Sequence, residues 1–161
     1  MYTDKQQIQI KGVGLHGLEQ ANQDLYVGNS GTSIRLLTGL LAGQSFSSVL
    51  SGDASILKRP MKRVTDPLQQ MGANINGQVQ SDQILPPLKI EPVSSLRAIQ
   101  YTLPMASAQV KSAILFASLY SHQKTEVIEP VICRDHTERV LEAFGADISR
   151  SGDSIFCSGK Q

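Results

Sequence analysis

The segment Gly28-Asn29-Ser30-Gly31-Thr32-Ser33-Ile34-Arg35 joins a short apolar run, Leu25-Tyr26-Val27, to an apolar helical pattern through glycines and small polar residues. A strand that turns straight into a helix leaves the first backbone N–H groups unpaired at the positive end of the helix dipole. Glycine lets a ligand approach that backbone closely, and Thr32 or Ser33 adds a hydroxyl. The segment is therefore suited to holding a phosphate or a carboxylate. It lacks the Gly-Lys-Ser/Thr of a P-loop and the third glycine of a dinucleotide fingerprint. The plainer alternative is a tight helix cap with no ligand.

Three further helix starts carry residues of the same kind. In Lys58-Arg59-Pro60, Pro60 suits the first helical position and Arg59 immediately precedes it. Ala106-Ser107-Ala108-Gln109 follows Pro104, and Arg134-Asp135-His136-Thr137 pairs Asp135 with Glu138 at the spacing of a capping box. An arginine at a helix N-terminus is disfavoured by the dipole unless an anion lies between them, and its planar fork binds phosphate or carboxylate through two hydrogen bonds. Arg59 and Arg134 stand in matching places, which favours a ligand over two solvated surface arginines. Lys111 and Arg35, a turn inside their helices, read as surface or interhelix charges.

The elements that must position these residues come twice in one order. Leu25-Tyr26-Val27 leads to a helix over 32–42, a strand over 46–50, a helix over 61–71 and then Gly72-Ala73-Asn74-Ile75. Ile99-Gln100-Tyr101-Thr102 leads to a helix over 107–119, a strand over 125–128, a helix over 136–144 and then Gly145-Ala146-Asp147-Ile148. Ile34, Leu37, Leu40 and Leu41 share one helical face, as do Val110, Ala113, Ile114 and Ala117, and both faces are predicted core. The second helices point Lys62, Gln69 and Gln70, or Glu138, Arg139 and Glu142, outward. Each glycine after a second helix suits a left-handed C-terminal cap. Paired final strands are predicted over 74–77 and 88–91, and over 147–150 and 154–157. The chain thus reads as α+β, with βαβαββ units over 21–93 and 96–161, joined near Pro86-Pro87 and Ser94-Ser95. Residues 1–20, with Ile8-Gln9-Ile10 before Gly12, Gly14 and Gly17, read as the closing hairpin of a preceding unit.

Composition narrows the function. The chain's 161 residues, 40% of them hydrophobic, suffice for a compact core. Fifteen Lys and Arg against fourteen Asp and Glu give no basic surplus, and there is no Trp. A nucleic-acid partner is therefore not expected. No apolar run is long enough to span a bilayer and no secretory leader is visible, so no membrane partner is expected either. Cys133 and Cys157 are isolated and His16, His122 and His136 are scattered. Reduced thiols in a cytoplasm, and no metal site, follow as expectations.

These motifs resemble a known family. Gly28-Asn29-Ser30-Gly31-Thr32-Ser33-Ile34-Arg35 is similar to the Gly-Asn-small-Gly-Thr-x-x-Arg segment of the enolpyruvyl transferases. Gly52-Asp53-Ala54-Ser55, Arg59-Pro60-Met61, Pro67-Leu68 and Met71-Gly72-Ala73 resemble the branch that acts on shikimate 3-phosphate. So do Leu103-Pro104-Met105-Ala106-Ser107-Ala108-Gln109-Val110-Lys111-Ser112-Ala113 and Arg134-Asp135-His136-Thr137-Glu138-Arg139. The sister branch, which acts on UDP-N-acetylglucosamine, usually has a reactive cysteine before Arg-Pro, where this chain has Ser51-Gly52-Asp53-Ala54-Ser55-Ile56.

The resemblance implies a reaction and a fold. The 5-hydroxyl of shikimate 3-phosphate attacks C2 of phosphoenolpyruvate, a tetrahedral intermediate forms and phosphate leaves. No metal or organic cofactor is implied. Carried over by position, Ser107, Ala108, Gln109 and Arg134 bind shikimate 3-phosphate, and Asn29, Gly31, Arg59 and Gln109 line the phosphoenolpyruvate side. A side chain at Gly31 is expected to crowd phosphoenolpyruvate and the herbicide glyphosate, which inhibits from the same place. The family's two domains, each of three repeated units, close over the substrates. This chain matches part of the first; the Lys-Ser-x-x-x-Arg segment and the second domain, with its carboxylate base, are missing. No catalytic residue is assigned within the chain, and alone it is expected not to turn over. The alternatives are a module that binds shikimate 3-phosphate or a similar phosphorylated acid without chemistry, and an RNA-end-processing relative. The balanced charge and Ser107-Ala108-Gln109 speak against the second of these.

Overall fold

The computed structural model describes residues 2–4 and 7–159. Strands β1 (Tyr2–Asp4) and β2 (Gln7–Gln9) pair antiparallel; residues 5 and 6, within the stretch read as a closing hairpin, lie outside the described residues. Then come β3 (Leu25–Tyr26), α1 (Gly31–Leu41), β4 (Ser48–Ser51), a 3-10 turn (Ile56–Lys58), α2 (Lys62–Gln70), β5 (Asn74–Gln80) and β6 (Gln83–Glu91). The order repeats as β7 (Gln100–Thr102), α3 (Ala108–Ser118), β8 (Thr125–Ile128), α4 (His136–Ala143), β9 (Asp147–Ser151) and β10 (Ser154–Ser158).

Two four-stranded sheets result, ordered β3-β4-β6-β5 and β7-β8-β10-β9. In each, the first two strands are parallel and a helix makes the crossover, as parallel pairing requires; the other pairings are antiparallel. This is the α+β fold of repeated βαβαββ elements expected from the sequence. Gly72 (φ +95) and Gly145 (φ +80) follow α2 and α4 in the left-handed conformation that ends both helices.

The sheets are bound together by helix packing. Ile34, Thr38, Gly39 and Leu41 of α1 are buried, while Leu37 and Leu40 are only half-buried. The inner stripe therefore lies slightly off the predicted face. Its centre is Gly39, where a Cβ would fall 2.1 Å from the Ala113 carbonyl oxygen of α3. Small residues, Gly39 on one helix and Ala113 and Ala117 on the other, let α1 and α3 approach backbone to backbone.

Some expectations change. Ser81 and Asp82 (φ +47 and +61) close a two-residue turn, so β5 and β6 run further than predicted. Pro86-Pro87 lie within β6 and do not mark a join; the register shifts opposite them, between Asn76 and Gln78, which accommodates residues without an N–H. The helix after Arg59 starts at Lys62, with Met61 as its N-cap, because the Met61 N–H bonds the Ile84 carbonyl across the sheet. Pro60 is thus outside the helix. Among the described residues no helix is long and apolar enough to cross a membrane.

Candidate anion-binding site

The turn before α1 is built by its own hydrogen bonds. Gly28 takes φ +59, the Ser30 N–H donates to the Val27 carbonyl at 3.1 Å, and Ser30 Oγ caps α1 by accepting from the Ser33 N–H at 3.1 Å. The Gly28 carbonyl accepts from the Asp53 N–H at 2.9 Å, which ties the loop after β4 to this turn. Asp53 Oδ1 accepts from the N–H groups of Ser55 and Ile56, both at 2.9 Å, and so starts the 3-10 turn that ends at Arg59. Arg59 Nη2 then reaches back and donates to Asn29 Oδ1 at 2.8 Å.

Gly31 lies beneath two guanidinium groups. A Cβ there would stand 2.5 Å from Arg59 Nη1 and 2.8 Å from Arg35 Nη1. Arg35 Nη1 donates to the Gly31 carbonyl and to Gln109 Oε1, each at 2.9 Å. Gln109 Nε2 donates to Thr32 Oγ1 at 2.8 Å, so one carboxamide bridges the starts of α1 and α3. Burial, and after it the charges of Arg59 and Arg63, hold the Arg35 guanidinium below its ordinary pKa. Among the described residues no carboxylate lies within ion-pair distance of Arg35 or Arg59. Two close cations without an anion, beside the first turn of a helix, attract a phosphate or carboxylate.

Gln109 lines clefts on both its sides. One, of about 200 Å³, is walled by Thr32, Ala108, Gln109, Ser112, Arg134 and Thr137; the other, of about 660 Å³, includes Arg35, Lys62, Arg63, Tyr101 and Ser107. The structure thus gathers Asn29, Gly31, Arg59 and Gln109 into one corner, and sets Ala108, Gln109 and Arg134 along one cleft. Ser107 is apart from that cleft: its hydroxyl caps α3, accepting from the Val110 N–H at 3.4 Å, and keeps its own proton to donate.

Three expectations need correction. Arg59 is not at the start of its own helix but turns to the start of α1. Asp135 makes no side-chain cap, and Glu138, read as outward-facing and as its capping partner, turns inward to Lys111 at 2.6 Å. Lys111 is an interhelix charge, as one of its two readings had it: fully buried, it links α3 to Glu138 of α4 and also meets Glu129. Arg35 is an interhelix link, as one of its two readings had it, and it also belongs to the corner. Arg35 and Glu129 were missed as site-building residues. The sequence signals for Arg35 were its place one turn after Gly31 and at the end of the Gly-Asn-small-Gly-Thr-x-x-Arg segment, and Glu129 had none.

Residues 1–161 match the sequence profile of EPSP synthase, 3-phosphoshikimate 1-carboxyvinyltransferase. The chain belongs to the EPSP synthase family. It is 52% identical over 158 residues to the 3-phosphoshikimate 1-carboxyvinyltransferase of Bacillus thuringiensis subsp. konkukian, covering 98% of this chain and 36% of the relative. It is 57% identical over 138 residues to that of Hydrogenovibrio crunogenus, covering 86% and 30%. A solved EPSP synthase from Acinetobacter baumannii superposes with a TM-score of 0.89 at 51% identity, over 93% of this chain and 33% of that one. The chain therefore spans about a third of the length of the EPSP synthases it matches. Among the described residues no group of three or more His, Cys, Asp or Glu is placed to hold a metal ion.

Proposed function

We propose that this chain is the substrate-holding part of an EPSP synthase, which transfers the enolpyruvyl group of phosphoenolpyruvate to the 5-hydroxyl of shikimate 3-phosphate and releases phosphate. The observation that carries this reading is the convergence of Arg59, Asn29, Gly31 and Gln109 on the first turn of α1, with no carboxylate among the described residues within ion-pair distance of Arg35 or Arg59. Phosphoenolpyruvate, a phosphate and a carboxylate on one small frame, supplies the missing anion. Glyphosate, also a small polyanion, competes for that corner. Shikimate 3-phosphate spans Gln109, held by Arg134 and Ala108 in one cleft, by Ser107 from the other and by the Gln109 carboxamide between them.

Binding both substrates against one carboxamide converts a bimolecular encounter into a positioned one, and guanidinium groups stabilise the phosphate as it leaves. The proton of the attacking hydroxyl needs a base within hydrogen-bond reach. None of Asn29, Gly31, Arg59 and Gln109 is a carboxylate, although Asp66 of α2 lines the larger cleft with Arg35 and Gln109. The base belongs to a second domain that closes over the site, so the chain alone, working in the cytoplasm as part of that enzyme, binds without turning over.

Calorimetric titration of the chain with shikimate 3-phosphate, with shikimate and inorganic phosphate as controls, tests the reading. Binding tighter than either control is expected. Arg134→Ala should lose on the order of 1.5–3 kcal/mol, about 10- to 150-fold. A folded chain that binds shikimate 3-phosphate no better than inorganic phosphate overturns it.

A further inference from the structure

Arg134 lies on the loop that runs from the end of β8 to α4, and that loop is fastened to a buried set of charges on both sides of it. On the upstream side Glu129, whose side chain is 0% exposed, accepts four donors. Its Oε1 takes the Cys133 N–H at 3.3 Å, the Cys133 thiol at 2.7 Å and the Lys111 ammonium at 2.9 Å. Its Oε2 takes Arg150 Nη1 at 2.9 Å, from β9. On the downstream side the Lys111 ammonium meets Glu138 Oε1 at 2.6 Å, and the hydroxyls of Ser112 and Thr137 meet at 2.6 Å. Lys111 and Ser112 belong to α3, whose first turn carries Ala108 and Gln109 in the same cleft as Arg134. One buried ammonium therefore connects the helix that presents Gln109 to the two ends of the loop that presents Arg134.

A charge set of this kind is a poor source of net stability, because desolvating each member offsets most of its attraction. An apolar trio would hold the fold as well. Charged groups instead favour one geometry, because moving any member leaves a buried charge without its partner. The residues so held are Cys133 and Glu138, one on each side of Arg134.

We propose that Lys111, Glu129 and Glu138 are positioning residues for Arg134: they hold its loop at the distance from Gln109 that a phosphorylated ligand requires. This rests on Arg134 being the phosphate-side residue, as proposed above. None of the three touches substrate. They act by keeping Arg134 ordered before the ligand arrives, so that less freedom is lost on binding.

Two measurements test this. The first needs no ligand: amide hydrogen exchange of residues 131–135 in the chain and in Glu129→Gln. The Cys133 amide, which donates to Glu129 Oε1, is expected to exchange at least tenfold faster in the variant, while those of β4 and β6 in the other sheet stay unchanged. Arg150→Met, which removes a donor that is 32% exposed and leaves Lys111 paired, is the milder variant and should loosen the same residues less. Unchanged protection over 131–135 in both variants, or acceleration spread evenly over the chain, overturns the proposal whatever the chain binds.

The second is a double-mutant cycle on shikimate 3-phosphate affinity. Glu129→Gln should weaken binding about 5- to 20-fold in the parent and less than twofold in Arg134→Ala, because the residue it positions is already gone. Equal losses in both backgrounds would mean a general structural effect and sink the proposal. Loosening of the loop together with a parent that does not bind shikimate 3-phosphate would overturn the functional reading and leave the positioning of Arg134 standing.

Discussion

At the scale of single residues the site turns on what a methyl group at Gly31 would meet. Its nearest neighbours are the Nη1 atoms of Arg59, at 2.5 Å, and Arg35, at 2.8 Å. Both are ends of flexible side chains, so Gly31→Ala is expected to fold, with the guanidinium groups pushed aside. The predicted consequence follows from that displacement. Arg59 loses its 2.8 Å bond to Asn29, so phosphoenolpyruvate and glyphosate weaken, while shikimate 3-phosphate is spared because Arg134 is untouched and Gln109 keeps its bond to Thr32. Affinities measured in the full-length enzyme decide this; equal losses for all three ligands would contradict it. Arg59→Lys gives a second check. A lysine keeps the charge but lacks the fork that spans Asn29 and an anion at once. Phosphoenolpyruvate affinity should fall by about 1–2 kcal/mol, with thermal stability nearly unchanged.

At the scale of elements, the site exists because α1 and α3 begin side by side. Gln109 of α3 reaches Thr32 and Arg35 of α1 only while the helix axes stay close, and Gly39 against the Ala113 carbonyl sets that closeness. Gly39→Ala puts a methyl 2.1 Å from that backbone oxygen, and here no flexible end can yield. The helices must separate, at about 1–3 kcal/mol. Urea unfolding should show the loss, and a variant as stable as the parent would mean the helices can shift freely. Most of these elements were legible in the sequence. The 3.6-residue period, the glycines after α2 and α4 and the serines before α1 and α3 are local signals, and local physics decides them. The length of β5 and β6 was not legible, because their turn, Ser81-Asp82, contains no glycine to announce its positive φ and Pro86-Pro87 imitates a break. Nor were the targets of the charged side chains. Period places Lys111 on a helix but cannot say that Glu129 and Glu138 wait across the packing, and Arg59 beside Pro60 resembles a helix-start arginine until Asp53 turns the chain before it.

At the scale of the whole molecule, the buried charges make stability depend on pH in a direction that can be worked out. Burial opposes the charged form of Glu129, but hydrogen bonds from Cys133, Lys111 and Arg150 outweigh it and hold the carboxyl below its ordinary value of 4.5. Burial also opposes the charge on Lys111, and hydrogen bonds to Glu138 and Glu129 together outweigh it and raise the ammonium above 10.5. A carboxyl with a depressed folded-state value contributes stability that is full above its unfolded value and lost as pH falls through the folded one. An ammonium with a raised value contributes stability that is full below its unfolded value and lost as pH rises through the folded one. The set is thus intact from about pH 5 to pH 10 and fails in acid first. Melting temperature measured from pH 7 down to pH 3 should fall for the parent chain. Glu129→Gln should start lower at pH 7, by on the order of 1.5–3 kcal/mol or roughly 3–12 °C. It should then lose less over the same interval, because the group whose protonation weakens the parent is absent. Parallel slopes would place the acid sensitivity in other carboxyls, such as Glu91, which hydrogen bonds from Lys89 and Ser47 hold below its ordinary value, and take it away from Glu129. Convergence of the two curves near pH 3 would instead locate it at the one carboxylate that joins α3, β9 and the loop of Arg134.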